Sequence, residues 1–208
     1  FNQSSIPHEA YEWLQNQSFV NSEKTGVVGH SMGAFFAQAV ALKYPQIDVL
    51  GYQAFGPDYM YPAVPQLANN ETNFIQISSQ YEEFGGRQWN ETAEEWTQHC
   101  KQFIGINTQL TGVNDSTAEF YKTYGSVEDG NAQRYVFLPK THPGQTHDLN
   151  ATKEITIYFL QTLQDLSREE AEQKVQKTTY IHADAFGAAS ALLVMLSVIP
   201  LLSLLLKA

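Results

Sequence analysis

The sequence predicts an α/β protein, built on a mostly parallel sheet with helices on both faces. Short apolar segments of strand length alternate along the chain with longer segments whose apolar residues recur at helical spacing. Strands that alternate with helices favour crossover connections and hence parallel pairing. No internal repeat or low-complexity segment competes with this interpretation.

Four segments have the length and composition of strands. They are Thr25–His30, Asp48–Phe55, Asn73–Ser79 and Arg134–Leu138. Five segments have helical spacing of apolar residues. They are Ser5–Asn16, Met32–Tyr44, Glu91–Phe103, Ser116–Tyr124 and Ala151–Leu166. Pro45 ends the second helix, and Gly56-Pro57 ends the second strand.

Composition excludes several classes of function. Twelve Lys and Arg against 22 Asp and Glu give a net charge of −10, which is the opposite of a nucleic-acid binder's basic surface. The single cysteine, Cys100, rules out an internal disulfide and a zinc site built on cysteines. No two histidines have metal-ligand spacing, so we expect no metal.

The motif that carries chemistry is Gly29-His30-Ser31-Met32-Gly33, a match to G-x-S-x-G between a predicted strand and a predicted helix. Such a turn exposes the serine hydroxyl as a nucleophile. It is sharp enough that the positions two before and two after the serine must be small, here Gly29 and Gly33. The backbone N–H of Met32 would donate to the oxyanion that forms during acyl transfer.

The run TGVVGHSMGAFFAQAVALKYP, residues 25–45, resembles the nucleophile elbow and following helix of the α/β-hydrolase family. The resemblance extends over about Ser5 to Leu166, although the elbow is its only highly specific part. It implies an α/β-hydrolase fold, no cofactor, and a catalytic triad in the order serine, acid, histidine.

The family order directs the search for the acid and the base. The acid is expected just after the strand Asn73–Ser79, where Glu82 is preferred and Glu83 is the alternative; Asp58 is a further option. The base is expected between the last strand and the last helix. There His147 is preferred, because it lies nearer the helix, and His142 is the alternative.

The position of the elbow suggests that the chain is the C-terminal portion of a longer hydrolase. Family members place about four strands before the elbow, whereas residue 31 leaves space for one helix. The second oxyanion donor would then lie upstream of Phe1. The hydrolase portion spans residues 1–166, and the long connection at 84–133 could form a lid over the site.

The C-terminal end predicts a membrane anchor. Residues 167–184 form a charged spacer, and Ala185–Leu206 contain no charged residue. This segment would span ~33 Å as a helix, enough to cross a bilayer's hydrocarbon core. A cleaved glycolipid-anchor signal is the alternative.

Acceptor sites for N-glycosylation indicate an extracytoplasmic domain. Six positions match Asn-x-Ser/Thr, whereas this composition gives roughly 1.5 by chance. They are Asn2, Asn16, Asn70, Asn90, Asn114 and Asn150. The excess favours an exported glycoprotein.

The sequence therefore predicts a membrane-anchored serine hydrolase that cleaves carboxylic esters or related acyl bonds of small-molecule substrates. Ser31 is the nucleophile, His147 the base, Glu82 the acid and Met32 an oxyanion donor. Esterase or lipase activity is expected first, with thioesterase or peptidase activity as variants. The alternative from another class is a catalytically silent hydrolase-like domain that serves binding at the cell surface.

Overall fold

A computed structural model of the chain describes residues 6–84, 90–113 and 117–177. The strands are β1 (Thr25–His30), β2 (Ile47–Gln53), β3 (Asn73–Tyr81), β4 (Thr123–Tyr124) and β5 (Gln133–Thr141). The helices are α1 (Ile6–Gln15), α2 (Met32–Lys43), α3 (Val64–Asn69), α4 (Ala93–Leu110), α5 (Leu149–Gln164) and α6 (Arg168–Gln176). Two short 3-10 helices, Pro57–Tyr59 and Pro143–His147, complete the described elements.

The five strands form one sheet in the order β1-β2-β3-β5-β4. The first four in this order pair in parallel, and β4 is antiparallel to β5. The carboxyl ends of four strands therefore meet at one edge of the sheet, where α/β proteins place their ligands. The predicted mostly parallel sheet is confirmed.

Helices cover both faces of the sheet. Leu50 and Tyr52 of β2 belong to a core shared with α1, α2, α3 and α4. Val49 directly precedes Leu50, so its side chain points to the opposite face of the sheet, where it belongs to a second core with Tyr158 and Ala151 of α5. A strand that is buried on both faces has a nearly continuous run of apolar residues, and this run is the reason that β2 could be predicted from the sequence.

The prediction of a helix at 116–124 was wrong for the described part of this segment. Residues 117–122 form no regular element, and Thr123–Tyr124 form β4. The backbone N–H of Tyr121 donates to the carbonyl of Tyr135, and Phe120 stacks on Phe137 at a centroid distance of 4.5 Å. Contacts with β5 thus override the local helical pattern.

Helix α4 is a crossover helix packed on the sheet. Trp96, Cys100 and Ile104 on its inner side are fully buried. The indole N–H of Trp96 donates to the carbonyl of Ser79 at 2.8 Å, near the end of β3. The described part of the 84–133 connection thus contributes to the core, and the possible lid over the site stays a prediction.

The first part of the predicted charged spacer is helix α6. The Ser167 hydroxyl accepts from the Glu170 N–H and the Glu170 carboxylate accepts from the Ser167 N–H, which together form a capping box. Ala171 and Val175 are buried in a small core with Ile157 of α5. Helix α6 is therefore an integral element of the domain. The predicted span, Ala185–Leu206, lies outside the described residues, and none of the helices that are described is long and apolar enough to cross a membrane.

The acceptor asparagines differ in their surroundings. Asn16, Asn90 and Asn150 are exposed, as a glycan requires. The Asn70 side-chain amide instead donates to the carbonyls of Ala41 and Leu42 near the end of α2. Asn2 and Asn114 lie outside the described residues.

Candidate active site

Ser31 occupies the turn between β1 and α2, as the motif predicts. Its backbone has φ 55° and ψ −124°, a conformation that is strained for a residue with a side chain. The N–H of Ser31 donates to the carbonyl of Gln53 at 2.9 Å, and its own carbonyl accepts from Ala34 at 2.9 Å. These bonds hold the strained turn at the carboxyl edge of the sheet.

The two glycines of the motif are not equivalent. A Cβ added at Gly29 would lie 2.0 Å from the carbonyl oxygen of Gly33, whereas one added at Gly33 would meet nothing within 4 Å. Only Gly29 is therefore required by the turn; the expectation that Gly33 must also be small was wrong.

Met32 is the first residue of α2. A helix leaves its first N–H groups without intrahelical partners, and its dipole favours negative charge there. The N–H of Met32 can thus donate to the oxyanion that would form on the carbonyl oxygen of an acyl group attacked by the Ser31 hydroxyl.

A buried pair of side chains lies at the ends of β3 and β5. The His142 Nδ1 and the Glu82 Oε2 are 3.0 Å apart, and the two residues are each 3% exposed. The other carboxylate oxygen of Glu82 accepts the N–H of Phe84 at 2.9 Å. Glu82 is therefore held by two donors, and one of them is the imidazole.

His142, not His147, makes this contact. His147 is exposed at the end of the 3-10 helix Pro143–His147. The preference for His147 as the partner of Glu82 is corrected accordingly. The structure brings together Glu82 and the alternative histidine.

Strand register explains the choice. Tyr81 of β3 pairs with Thr141 of β5, so the residues that follow them, Glu82 and His142, are neighbours across the sheet. The Ser79 hydroxyl donates to the Thr141 carbonyl at 3.0 Å and fixes this pairing. The sequence predicted that β5 ends at Leu138. With this shorter strand, the pairing that makes Glu82 and His142 neighbours could not be predicted.

Glu83 also contacts His142, but it binds the main chain of the histidine and not the imidazole ring. The Glu83 Oε2 accepts the backbone N–H of His142 at 2.9 Å. The two neighbouring glutamates thus bind different parts of His142: Glu82 binds the ring and Glu83 binds the main chain. Asp58, the further option for the acid, lies after β2 in the 3-10 helix Pro57–Tyr59.

The other ring nitrogen of His142 is free to act. Its Nε2 is buried, and it has no hydrogen-bond partner among the described residues. Catalytic bases often lack their nucleophile bond in ligand-free structures. With Nδ1 bonded to a carboxylate, the neutral ring carries its proton on Nδ1 and offers the Nε2 lone pair as a base.

His30 joins the elbow to the loop that carries His142. Its Nε2 lies 3.2 Å from the His142 carbonyl oxygen, and the two rings are 4.9 Å apart. Burial lowers the pKa of His30, which keeps its ring neutral at neutral pH. Because His30 directly precedes Ser31, this contact links the Ser31 turn to the loop that carries His142.

Burial has the largest effect on the pKa of Glu82 in its contact with His142. Desolvation raises the pKa of Glu82, while the Phe84 N–H and the His142 ring oppose this rise. Ionised Glu82 is thus costly in the folded chain unless a positive charge forms on His142. No group of three or more His, Cys, Asp or Glu residues in the described chain could hold a metal ion.

Comparisons with known proteins give limited likeness. No family model and no curated protein matches the chain. Two solved structures titled glucuronoyl esterase from Solibacter usitatus are similar, with TM-scores of 0.44 and 0.41 and identities of 11% and 12%. In both comparisons the likeness covers 67% of this chain and 43% of the esterase chain, so this chain matches less than half the length of those structures.

The fold and the site themselves define the chain as an α/β protein with helices on both faces of a parallel sheet. A serine on a strained strand-to-helix turn and a buried histidine–carboxylate pair share its carboxyl edge.

Proposed function

We propose that the chain is the catalytic portion of an α/β-hydrolase, a serine hydrolase that cleaves carboxylic esters. Ser31 is the nucleophile, His142 the general base and Glu82 the orienting acid. The observation that carries the proposal is the buried contact of 3.0 Å between His142 and Glu82, with Nε2 free, beside the strained Ser31 turn.

The reaction follows from these positions. The Ser31 hydroxyl attacks the acyl carbon and its proton passes to His142 Nε2, while the Met32 N–H binds the oxyanion. The bond to the alcohol breaks and the alcohol leaves with the proton from Nε2. Water then attacks the acyl-enzyme, its proton passes to Nε2, and the acid is released as Ser31 recovers its proton.

The electrostatics support this cycle. Imidazolium forms on His142 in each transition state, and the Glu82 carboxylate lies 3.0 Å from it, with each of the two residues only 3% exposed. The burial that raises the pKa of Glu82 in the resting site also strengthens its attraction to the imidazolium. Binding is therefore tighter to the transition state than to the ground state, as catalysis requires.

Hydrolysis of 4-nitrophenyl acetate by the full-length protein tests the proposal. We expect turnover that falls by about 10³-fold or more in Ser31→Ala. The matched control is Ser78→Ala, whose hydroxyl in β3 bonds to the carbonyl of Phe55 and takes no part in the chemistry. Equal turnover in the wild-type and Ser31→Ala proteins would contradict the assignment.

We further infer that the hydrolase domain is exported and anchored to a membrane by Ala185–Leu206. The uncharged segment and the surplus of acceptor asparagines support this. Glycosidase treatment of the native protein should increase its mobility on a gel, with Asn16, Asn90 and Asn150 as the described exposed positions. An unchanged mobility would contradict export through a glycosylating compartment.

A further inference from the structure

Aromatic side chains surround the histidine of the site. The ring of Phe55 stacks on His142 with centroids 5.0 Å apart and planes 23° apart. Phe84 approaches the same imidazole edge-on, at 5.3 Å and 66°. The imidazole of His142 is thus in contact with two apolar rings, those of Phe55 and Phe84.

The apolar surface continues outward from Phe55. Tyr59 lies 4.8 Å and Phe35 lies 5.4 Å from the Phe55 ring, centroid to centroid. Phe35 and Tyr59 are each 37% exposed, and Phe84 is 68% exposed. These four residues, Phe35, Phe55, Tyr59 and Phe84, are called the aromatic rim below. A contiguous exposed apolar patch next to buried polar groups is typical of a ligand-binding surface.

The charges near the rim disfavour an anionic ligand. The cation–ring contacts in the described chain are those of Lys43 with Tyr44, Lys101 with Phe120, and Lys122 with Tyr124. The rim thus receives no described cation on its rings, whereas two glutamates hold His142 beside it. A carboxylate on the ligand would be repelled there, in a chain of net charge −10.

The position of Phe35 indicates which part of an ester the rim would contact. Phe35 lies one helical turn after Met32, whose N–H is placed to bind the oxyanion. The oxyanion is bonded to the acyl carbon, which also carries the acyl chain and the leaving alkoxy oxygen, so the acyl chain is one of the two groups that lie beside this turn. The rim is accordingly placed next to the acyl chain.

We propose that the aromatic rim binds a neutral hydrocarbon acyl chain, so that the substrates are esters of medium-length apolar acids. This inference rests on the proposed serine hydrolase function and names its substrate class. Each methylene that leaves water against the rim adds binding free energy, and that energy raises kcat/KM where the acyl group is held in place.

The test compares 4-nitrophenyl acetate, butyrate and octanoate, which differ only in the acyl chain. For the full-length protein we expect kcat/KM to be at least ~10-fold higher for octanoate than for acetate. In Phe35→Ala and Tyr59→Ala this ratio should fall at least ~3-fold. Phe35→Leu, which keeps an apolar side chain, should retain most of the ratio. Phe19→Ala removes a side chain that is 77% exposed and lies before β1, away from the carboxyl edge, and should leave the ratio unchanged.

Binding to the Ser31→Ala protein separates this proposal from the hydrolase assignment. Tighter binding of the octanoate than the acetate ester, lost in Ser31→Ala/Tyr59→Ala, supports the rim even if no ester is hydrolysed. Hydrolysis without a chain-length preference, or a preference that Phe35→Ala and Tyr59→Ala both retain, overturns the rim proposal and leaves the hydrolase assignment standing. Equal binding of the two esters to Ser31→Ala would also overturn it.

Discussion

At the scale of the residue, the site depends on one histidine being chosen over another. His142 is buried and bonded to Glu82, whereas His147 lies exposed only five positions later. Both residues have the same side chain, so their position in the fold decides which of them contacts the Glu82 carboxylate. Substitutions at His142, His147 and Glu82 therefore test whether the position of the histidine decides its role.

Glu82→Gln should abolish activity while leaving the fold intact or more stable. The amide can accept the Phe84 N–H and donate to Nδ1, which forces the proton of His142 onto Nε2 and removes the base. We expect kcat to fall about 10³- to 10⁴-fold, as when a triad carboxylate becomes an amide. Steady-state kinetics and thermal melting of the two proteins measure both effects.

The stability effect of Glu82→Gln should depend on pH. Burial raises the pKa of Glu82 above the ordinary value of a glutamate, so the folded chain holds this proton more tightly than the unfolded chain does. This contribution to stability is present below pH ~4.5 and is lost as the pH rises through the raised pKa. The variant avoids that loss, so its Tm relative to wild type should increase from pH 4 to pH 8. A Tm difference that is constant over this range would contradict the assigned cause.

At the scale of the element, the strand-to-helix turn is held by close packing of main chain on main chain. Gly29→Ala should destabilise the protein by about 3 kcal/mol, since its Cβ would be 2.0 Å from the Gly33 carbonyl oxygen. Gly33→Ala is the matched control, and its stability should change by no more than about 1 kcal/mol. Denaturant unfolding of both variants measures the difference; equal losses would show that the turn is not packed in this way.

Local sequence predicted the elements wherever local preference and tertiary contact agree. The bounds of β1 are the same in sequence and structure, because an apolar run ends directly at the elbow motif. Strand β5 extends three residues beyond the predicted Leu138, through Pro139 and Lys140, because Thr141 pairs with Tyr81. Composition does not reveal such a pairing, and it is the pairing that selects His142.

Helix α6 and the contacts of the His142 loop show why the sequence did not predict every feature. The capping-box pattern at Ser167 and Glu170 was present in the sequence, but the charged composition of α6 concealed a helix with only Ala171 and Val175 buried. The Ser31 motif and the acidic pair after β3 could be read directly. The roles of Glu83 and His30 could not, because each depends on a contact with the distant loop of His142.

At the scale of the whole molecule, a buried ion network fastens α6 to the sheet. Arg134 of β5, whose side chain is 5% exposed, lies 2.7 Å from Glu154 of α5, and Arg168 of α6 lies 2.9 Å from the same carboxylate. One carboxylate thus pairs with two guanidinium groups, of which the Arg134 group is buried and the Arg168 side chain is 38% exposed. Its removal would leave the Arg134 charge buried without a counter-charge.

Glu154→Gln should therefore lower the free energy of unfolding by about 3 kcal/mol. Glu172→Gln is the control, because Glu172 pairs with Arg168 at the surface with 42% of its side chain exposed. That variant should lose no more than about 0.5 kcal/mol. Chemical denaturation of both variants checks the prediction, and a similar small loss in each would show that the network contributes little.

The central claim is that Ser31 and His142 act together as nucleophile and base, with Glu82 holding the base. Covalent labelling of the full-length protein by a fluorophosphonate, followed by peptide mass spectrometry, tests it most directly. We predict that the label is found on Ser31, that His147→Ala is labelled at the wild-type rate, and that His142→Ala is labelled at least ~100-fold more slowly. Folded protein that is not labelled at Ser31, or whose labelling depends on His147 and not on His142, would contradict the account.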